Sequence, residues 1–204
     1  MLKKTLLILL AITCLTNASA HVKADYPRFT FGAEWGYVAT IQSGHHHNFF
    51  SPEGFRVDDR GNVFKYHSNA DVYIHAGYNF NSNWNLSLYI GYAGVDDLQK
   101  VMPLSLRATH YFGIDPEADR WFAFWDIGSG ICFKKKPQEI VAGKIGGGYR
   151  ISLSRNTKLD FLASVRMIYT HPQVYFDGIP IDMQWVNRNN AYVGAISFGI
   201  GLTF

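Results

Sequence analysis

The sequence predicts an all-β fold: an eight-stranded antiparallel up-and-down β-barrel that crosses a membrane. Three observations carry this reading. Apolar side chains recur at every second position over eight separate stretches, with no comparable helical period in the rest of the chain. The connections between those stretches alternate between longer and shorter. Aromatic residues form 16% of the chain, and many of them fall at strand ends.

Residues 1–20 stand apart from the rest. Lys3 and Lys4 precede the apolar run "LLILLAITCL", and "ASA" ending at Ala20 offers a small-residue cleavage site. That is the pattern of a secretory signal peptide, and its apolar run is too short to span a bilayer. Cys14 lacks the small preceding residue expected of an acylated leader. Residues 21–204 then form the barrel domain, and the net charge falls from +3 to about +1 as the two lysines leave. A chain so near neutrality lacks the basic face that nucleic acid requires. Cys132 is left without a partner for an intrachain disulfide. An exported domain without such staples needs a large core, or a solvent other than water.

The first strand, 28–41, places Phe29, Phe31, Ala33, Trp35, Tyr37, Ala39 and Ile41 on one face. Thr30, Gly32, Glu34, Gly36, Val38 and Thr40 take the other. The second, 70–80, sets Val72, Ile74, Ala76, Tyr78 and Phe80 against Tyr73, His75, Gly77 and Asn79. In the third, 84–93, Leu86, Leu88, Ile90 and Tyr92 point outward, and in the fourth, 104–112, Leu104, Leu106 and Ala108 oppose Ser105, Arg107 and Thr109. The fifth, 121–131, opposes Trp121, Ala123, Trp125 and Ile127 to Asp126, Gly128 and Gly130. The sixth, 140–153, opposes Val141, Ile145, Tyr149 and Ile151 to Lys144, Gly146, Gly148 and Arg150. The seventh, 158–170, opposes Leu159, Phe161, Ala163, Val165, Met167 and Tyr169 to Asp160, Ser164 and Arg166. The eighth, 191–204, ends in "SFGIGLTF", with Phe198, Ile200, Leu202 and Phe204 on one face.

Segments 42–69, 94–103, 132–139 and 171–190 are the longer connections, and 81–83, 113–120 and 154–157 the shorter ones. Long loops on one side and short turns on the other place the loops outside the cell and both termini in the periplasm. Phe29, Phe80, Trp84, Phe112, Trp121 and Phe204 then form a periplasmic aromatic belt, and Tyr92, Tyr169 and Tyr192 a second belt opposite.

These features resemble the small, eight-stranded outer-membrane β-barrel proteins of Gram-negative bacteria, over roughly residues 28–204. The sharpest motif is the C-terminus, where Ser197, Gly199, Leu202 and Phe204 are similar to the insertion signal of that family. The resemblance implies an integral outer-membrane location, contact with lipid and lipopolysaccharide, and recognition by the barrel-assembly machinery. Phe204 also serves simply as the last lipid-facing residue, and the two readings are compatible.

Eight strands enclose only enough space for side chains. The inner face carries many glycines, and between them Glu34, His75, Arg107, Asp126, Lys144, Arg150, Asp160 and Arg166. Glu34, Arg107 and Asp126 each lie five residues from the periplasmic end of their strand and so share one level. Interleaved acids and bases predict a salt-bridge network that closes the lumen, since an unpaired buried charge costs several kcal/mol. A solute path through the same charges is the alternative reading.

Enzymatic chemistry is the third possibility, because small outer-membrane barrels include lipid A-modifying enzymes. "YHSNA" at 66–70 resembles a deacylase His-x-Ser-Asn pattern, but His67 and Ser68 are adjacent and face opposite sides of a strand. His110 is an outward histidine with no serine two residues away. The chain is therefore read as a non-enzyme without cofactors.

The loops remain as binding surfaces. "GHHHNFF" in the first sets His45 and His47 on one face, with His67 as a possible third metal donor, against the reading of a solvated polar rim. In "QVYFDGIPIDMQW", Asp177-Gly178 is a hairpin turn whose arms carry Tyr175, Phe176 and Trp185 among other apolar residues. These either bind an extracellular ligand or pack on Phe49, Phe50 and Phe55. "KKK" at 134–136 lies where lipopolysaccharide phosphates would be. The expectation is a monomeric outer-membrane barrel of structural or surface-interaction type, with a charged, closed lumen.

Overall fold

The computed structural model describes residues 26–96, 99–132 and 140–204. The expected leader, Cys14 and the lysines at 134–136 lie outside the described residues, as does the side chain of Cys132. The strands are β1 (Phe29–Phe50), β2 (Arg56–Asn79), β3 (Trp84–Asp96), β4 (Gln99–Tyr111), β5 (Arg120–Cys132), β6 (Ile140–Ser152) and β7 (Lys158–Thr170). The short pair β8 (Tyr175–Phe176) and β9 (Ile179–Pro180) follows, and then β10 (Val186–Thr203). Eight of them close an antiparallel barrel in the order β1-β10-β7-β6-β5-β4-β3-β2, which is an up-and-down meander. Closure is completed at the terminus, where Phe204 N donates to Phe31 O (2.7 Å) and Phe31 N to Phe204 O (2.9 Å).

The period-two pattern fixes which face each residue takes. Arg107 pairs with Asp126 across β4–β5 and faces in, while the next rung, Leu106 with Ile127, faces out. Trp35, Ile74, Trp125, Ile145, Val165 and Phe198 form an exposed apolar wall around the barrel. A soluble protein rarely shows so large a continuous apolar surface; hydrocarbon accepts it. Phe29, Phe80, Phe112, Trp121 and Phe204 are exposed at the end that holds the chain terminus, and Tyr92 and Tyr169 toward the distal end.

The expected long loops are shorter than the sequence suggests. Residues 42–50 and 56–69, expected as one connection, continue β1 and β2 and are joined by a turn at 51–55. Likewise β3 and β4 extend into 94–103, and β10 begins at Val186 rather than 191. The reason lies in a paired bulge: the β1–β2 ladder steps from Thr40↔His67 to Gln42↔Phe64, skipping Ile41 on one strand and residues 65–66 on the other. Parity flips there, so beyond it Ser43, His45 and His47 continue the inner face that Val38 and Thr40 held below. Residues 42–48 are polar on both faces, and no apolar alternation marks them as strand.

β3 is in register with β2 only over Asp71–Asn79, so the upper part of β2 pairs with β1 alone. Together with the start of β10 these strands form a three-stranded wall that rises above one side of the barrel. The β8–β9 hairpin turns through Asp177 (φ 47°) and Gly178 (φ 79°), two successive left-handed residues as a tight two-residue turn requires. Val174 and Ile181 at its base bury against Phe49, with Val57, Phe176 and Val186 around them.

Candidate functional site: the lumen and the distal cleft

Six strands each send one charged side chain into the middle of the barrel. Arg107 from β4 reaches across the lumen to Glu34 on β1 (2.5 and 3.3 Å) and also donates to Asp126 on β5 (3.2 Å). Its guanidinium lies over the rings of Tyr89 (3.9 Å) and Phe124 (4.3 Å), so its faces are packed as well as its edges hydrogen-bonded. Lys144 from β6 stands 3.6 Å from Glu34 and 3.7 Å from Asp71 on β2. Arg166 from β7 lies 3.8 Å from Asp71 and donates to the carbonyl of Gly94 (2.9 Å). All six are buried.

Toward the terminal end, Arg150 grips Asp160 through two bonds of 2.6 Å, and Thr203 donates to the same carboxylate (3.3 Å). Arg150 and Arg120 both lie on the ring of Tyr111, at 4.4 and 4.3 Å. His75 joins no ion pair; it stacks on Tyr89 at 4.7 Å, and its Nδ1 has no hydrogen-bond partner among the described residues. Above the charges, Ala93, Val95, Val101, Ile140, Ile168 and Val193 close an apolar layer. Two voids left beside the charges measure about 20 and 30 Å³, enough for about one water each.

Sequence reasoning placed Glu34, Arg107 and Asp126 at one level, and the structure brings them into contact. It missed Asp71, which is almost wholly buried and is the acid facing both Lys144 and Arg166. The signal was present: Asp71 shares the parity of Tyr73 and His75. The apolar layer was also missed, although Ala93, Val101 and Ile168 lie on inward parity.

At the distal end an open cleft of about 690 Å³ lies between the inner face of the raised wall and the segment 170–177. His45, His47, Asp59, Thr170, Phe176 and Val193 are among its lining residues. His45 Nε2 is 3.1 Å from Asp59 Oδ2, and the rings of His45 and His47 stack at 4.9 Å. His46 faces the other way and bonds Asp58 (2.9 Å), which Arg60 also holds (3.1 and 3.3 Å). The expected third donor, His67, pairs with Thr40, four ladder steps from His45 and about 13 Å along the strand. The bulge and the length of β1 carry it away from the other two, so that trio is not assembled. His67 and Ser68 occupy successive rungs and face opposite sides.

Of the hairpin residues, Phe176 packs edge-on against Phe49 (6.1 Å) and Phe55 (5.9 Å). Tyr175 and Trp185 stay exposed. The apolar arms thus divide between packing and surface. Gly199 and Leu202 lie in the β1–β10 seam opposite Gly36 and Ala33, five and two residues before the terminal Phe204.

No protein-family model and no curated protein matches the chain. Solved structures do. The crystal structure of the outer membrane protein OprG from Pseudomonas aeruginosa shares 12% identity, with a TM-score of 0.50 over 88% of this chain and 97% of that one. The solid-state NMR structure of outer membrane protein AlkL in DMPC bilayers shares 14%, with a TM-score of 0.50 over 92% and 96%. Neisserial surface protein A shares 14%, covering 86% and 97%, at a TM-score of 0.48. With its eight antiparallel strands closed into a barrel, the fold of this chain is that of the small outer-membrane β-barrels.

Proposed function

We propose that the protein is an integral β-barrel of the Gram-negative outer membrane, with periplasmic termini, that acts through its distal surface. Its lumen is closed by paired charges, which argues against a solute path through it. One observation carries this reading: the lumen charges lie in ion pairs with one another, and the voids beside them are the size of single waters. On this reading lipid and lipopolysaccharide surround the wall, and the raised β1–β2–β10 sheet with its hairpin meets extracellular ligands as a monomer. The exposed Tyr175 and Trp185 are the aromatic anchors such a surface uses.

Conductance in a planar bilayer tests it. The refolded wild type is expected to be silent, and Arg107→Ala, which opens the charged layer, to leak. Steady unitary currents in the wild type would instead make the lumen the functional site.

A further inference from the structure

The histidine run at 45–47 has no part in a closed lumen, and the structure divides it between two faces. His46 is outward, held by Asp58. His45 and His47 are inward on the cleft wall, with rings 4.9 Å apart and 17° from parallel. The β1–β2 register sets Asp59 directly opposite His47, and the Asp59 carboxylate already reaches His45 Nε2 at 3.1 Å. Gly61 lies opposite His45, where a Cβ would run into the imidazole; the glycine keeps the space through which that ring leans toward Asp59. His47 Nδ1 is buried with no hydrogen-bond partner among the described residues.

We propose that His45, His47 and Asp59 form a binding site for a divalent transition-metal ion of the zinc, nickel or copper type. Two imidazoles with one carboxylate suit these ions better than magnesium or calcium, which favour all-oxygen shells. Bonds of about 2.0–2.1 Å at tetrahedral angles put two donors about 3.3 Å apart. The separation of 3.1 Å between His45 and Asp59 is close to that edge.

The third donor has to swing in, since among the described residues no three such side chains converge on one point as they stand. The His47 ring turns about χ2, a broad and soft torsion, while the ladder holds both backbones in place. Three protein donors leave a fourth position open toward the cleft, where water or a donor atom of an extracellular ligand completes the shell.

The site does not depend on whether the lumen conducts, so bilayer currents and metal binding fail separately. The full barrel, refolded in detergent and stripped of metal, is titrated with Zn(II) alone in a calorimeter at about pH 7.5. One saturable equivalent is expected, weakened at least about tenfold in His47→Ala and in Asp59→Asn. His46→Ala and His67→Ala are expected to bind as the wild type does. Affinity should fall on acidification, because ligation needs deprotonated donors. Co(II) should give the visible band of a tetrahedral nitrogen–oxygen site, lost in Gly61→Val, which displaces the His45 ring without removing a donor. Heat-modifiable gel migration confirms that each variant is folded. Absence of saturable uptake, full binding in the His45→Ala/His47→Ala double variant, or loss of binding in His46→Ala would each overturn the proposal.

Discussion

Arg107 is held by two carboxylates and two aromatic rings, and removing it leaves Glu34 and Asp126 buried with one fewer cation between them. Breaking such a pair costs about 3–5 kcal/mol, because the stranded charge stays desolvated. Arg107→Ala is thus expected to lower the thermal midpoint of the barrel in detergent, and an unchanged midpoint would count against the network. Asp71→Asn should act similarly through Lys144 and Arg166. Parity alone named four bases and three acids for the inner face, while Asp71, which has the same inward parity as Tyr73 and His75, was missed. His47 answers to pH instead. Its folded value lies below the unfolded one of 6.5, because burial and His45 outweigh the opposing effects of Asn189 and Asp59. The unfolded segment therefore binds protons more readily, so this residue's contribution is intact above 6.5 and is lost as pH falls through it. Hydrogen exchange of residues 42–62, corrected for intrinsic rate, should show the raised wall loosening between about pH 7.5 and 5.5. His47→Gln should blunt that change, although His45, His46, Asp58, Asp59, Arg60 and Arg188 remain nearby.

Among the elements, the raised wall is held by one small apolar cluster around Phe49. Phe49→Ala should remove about 3–5 kcal/mol of local packing. Exchange protection should then drop in β8, β9 and the tips of β1 and β2, while the heat-modifiable gel shift of the barrel persists. Loss of that shift would mean that the wall and the barrel form one cooperative unit. This wall is also where the sequence was least legible. A strand is recognised when one face is apolar, and 42–48 have polar groups on both. The bulge at Ile41 then reverses which residues face in, so extrapolating from 28–41 misassigns everything above it. The hairpin at 177–178 was legible because Asp-Gly supplies the two left-handed residues itself.

The whole molecule closes through its last residue, since Phe204 exchanges both backbone hydrogen bonds with Phe31. Deleting Phe204 removes one rung and one belt residue of an eight-strand seam. Refolding in detergent should therefore be only mildly affected, whereas insertion in cells should fall sharply if the terminus is also a recognition signal. Equal losses in both assays would reduce it to a structural rung. The one-sided height of the barrel has a further consequence. Beyond Thr40, β1 runs ten more residues to Phe50, roughly 33 Å of strand, and at a tilt near 40° this lifts the tip about 25 Å above the rim. In the proposed orientation, anything approaching the cell meets that crest before it meets lipid. The molecule therefore has a front and a back, and two neighbours in the same membrane present different faces to one another depending on how each has turned.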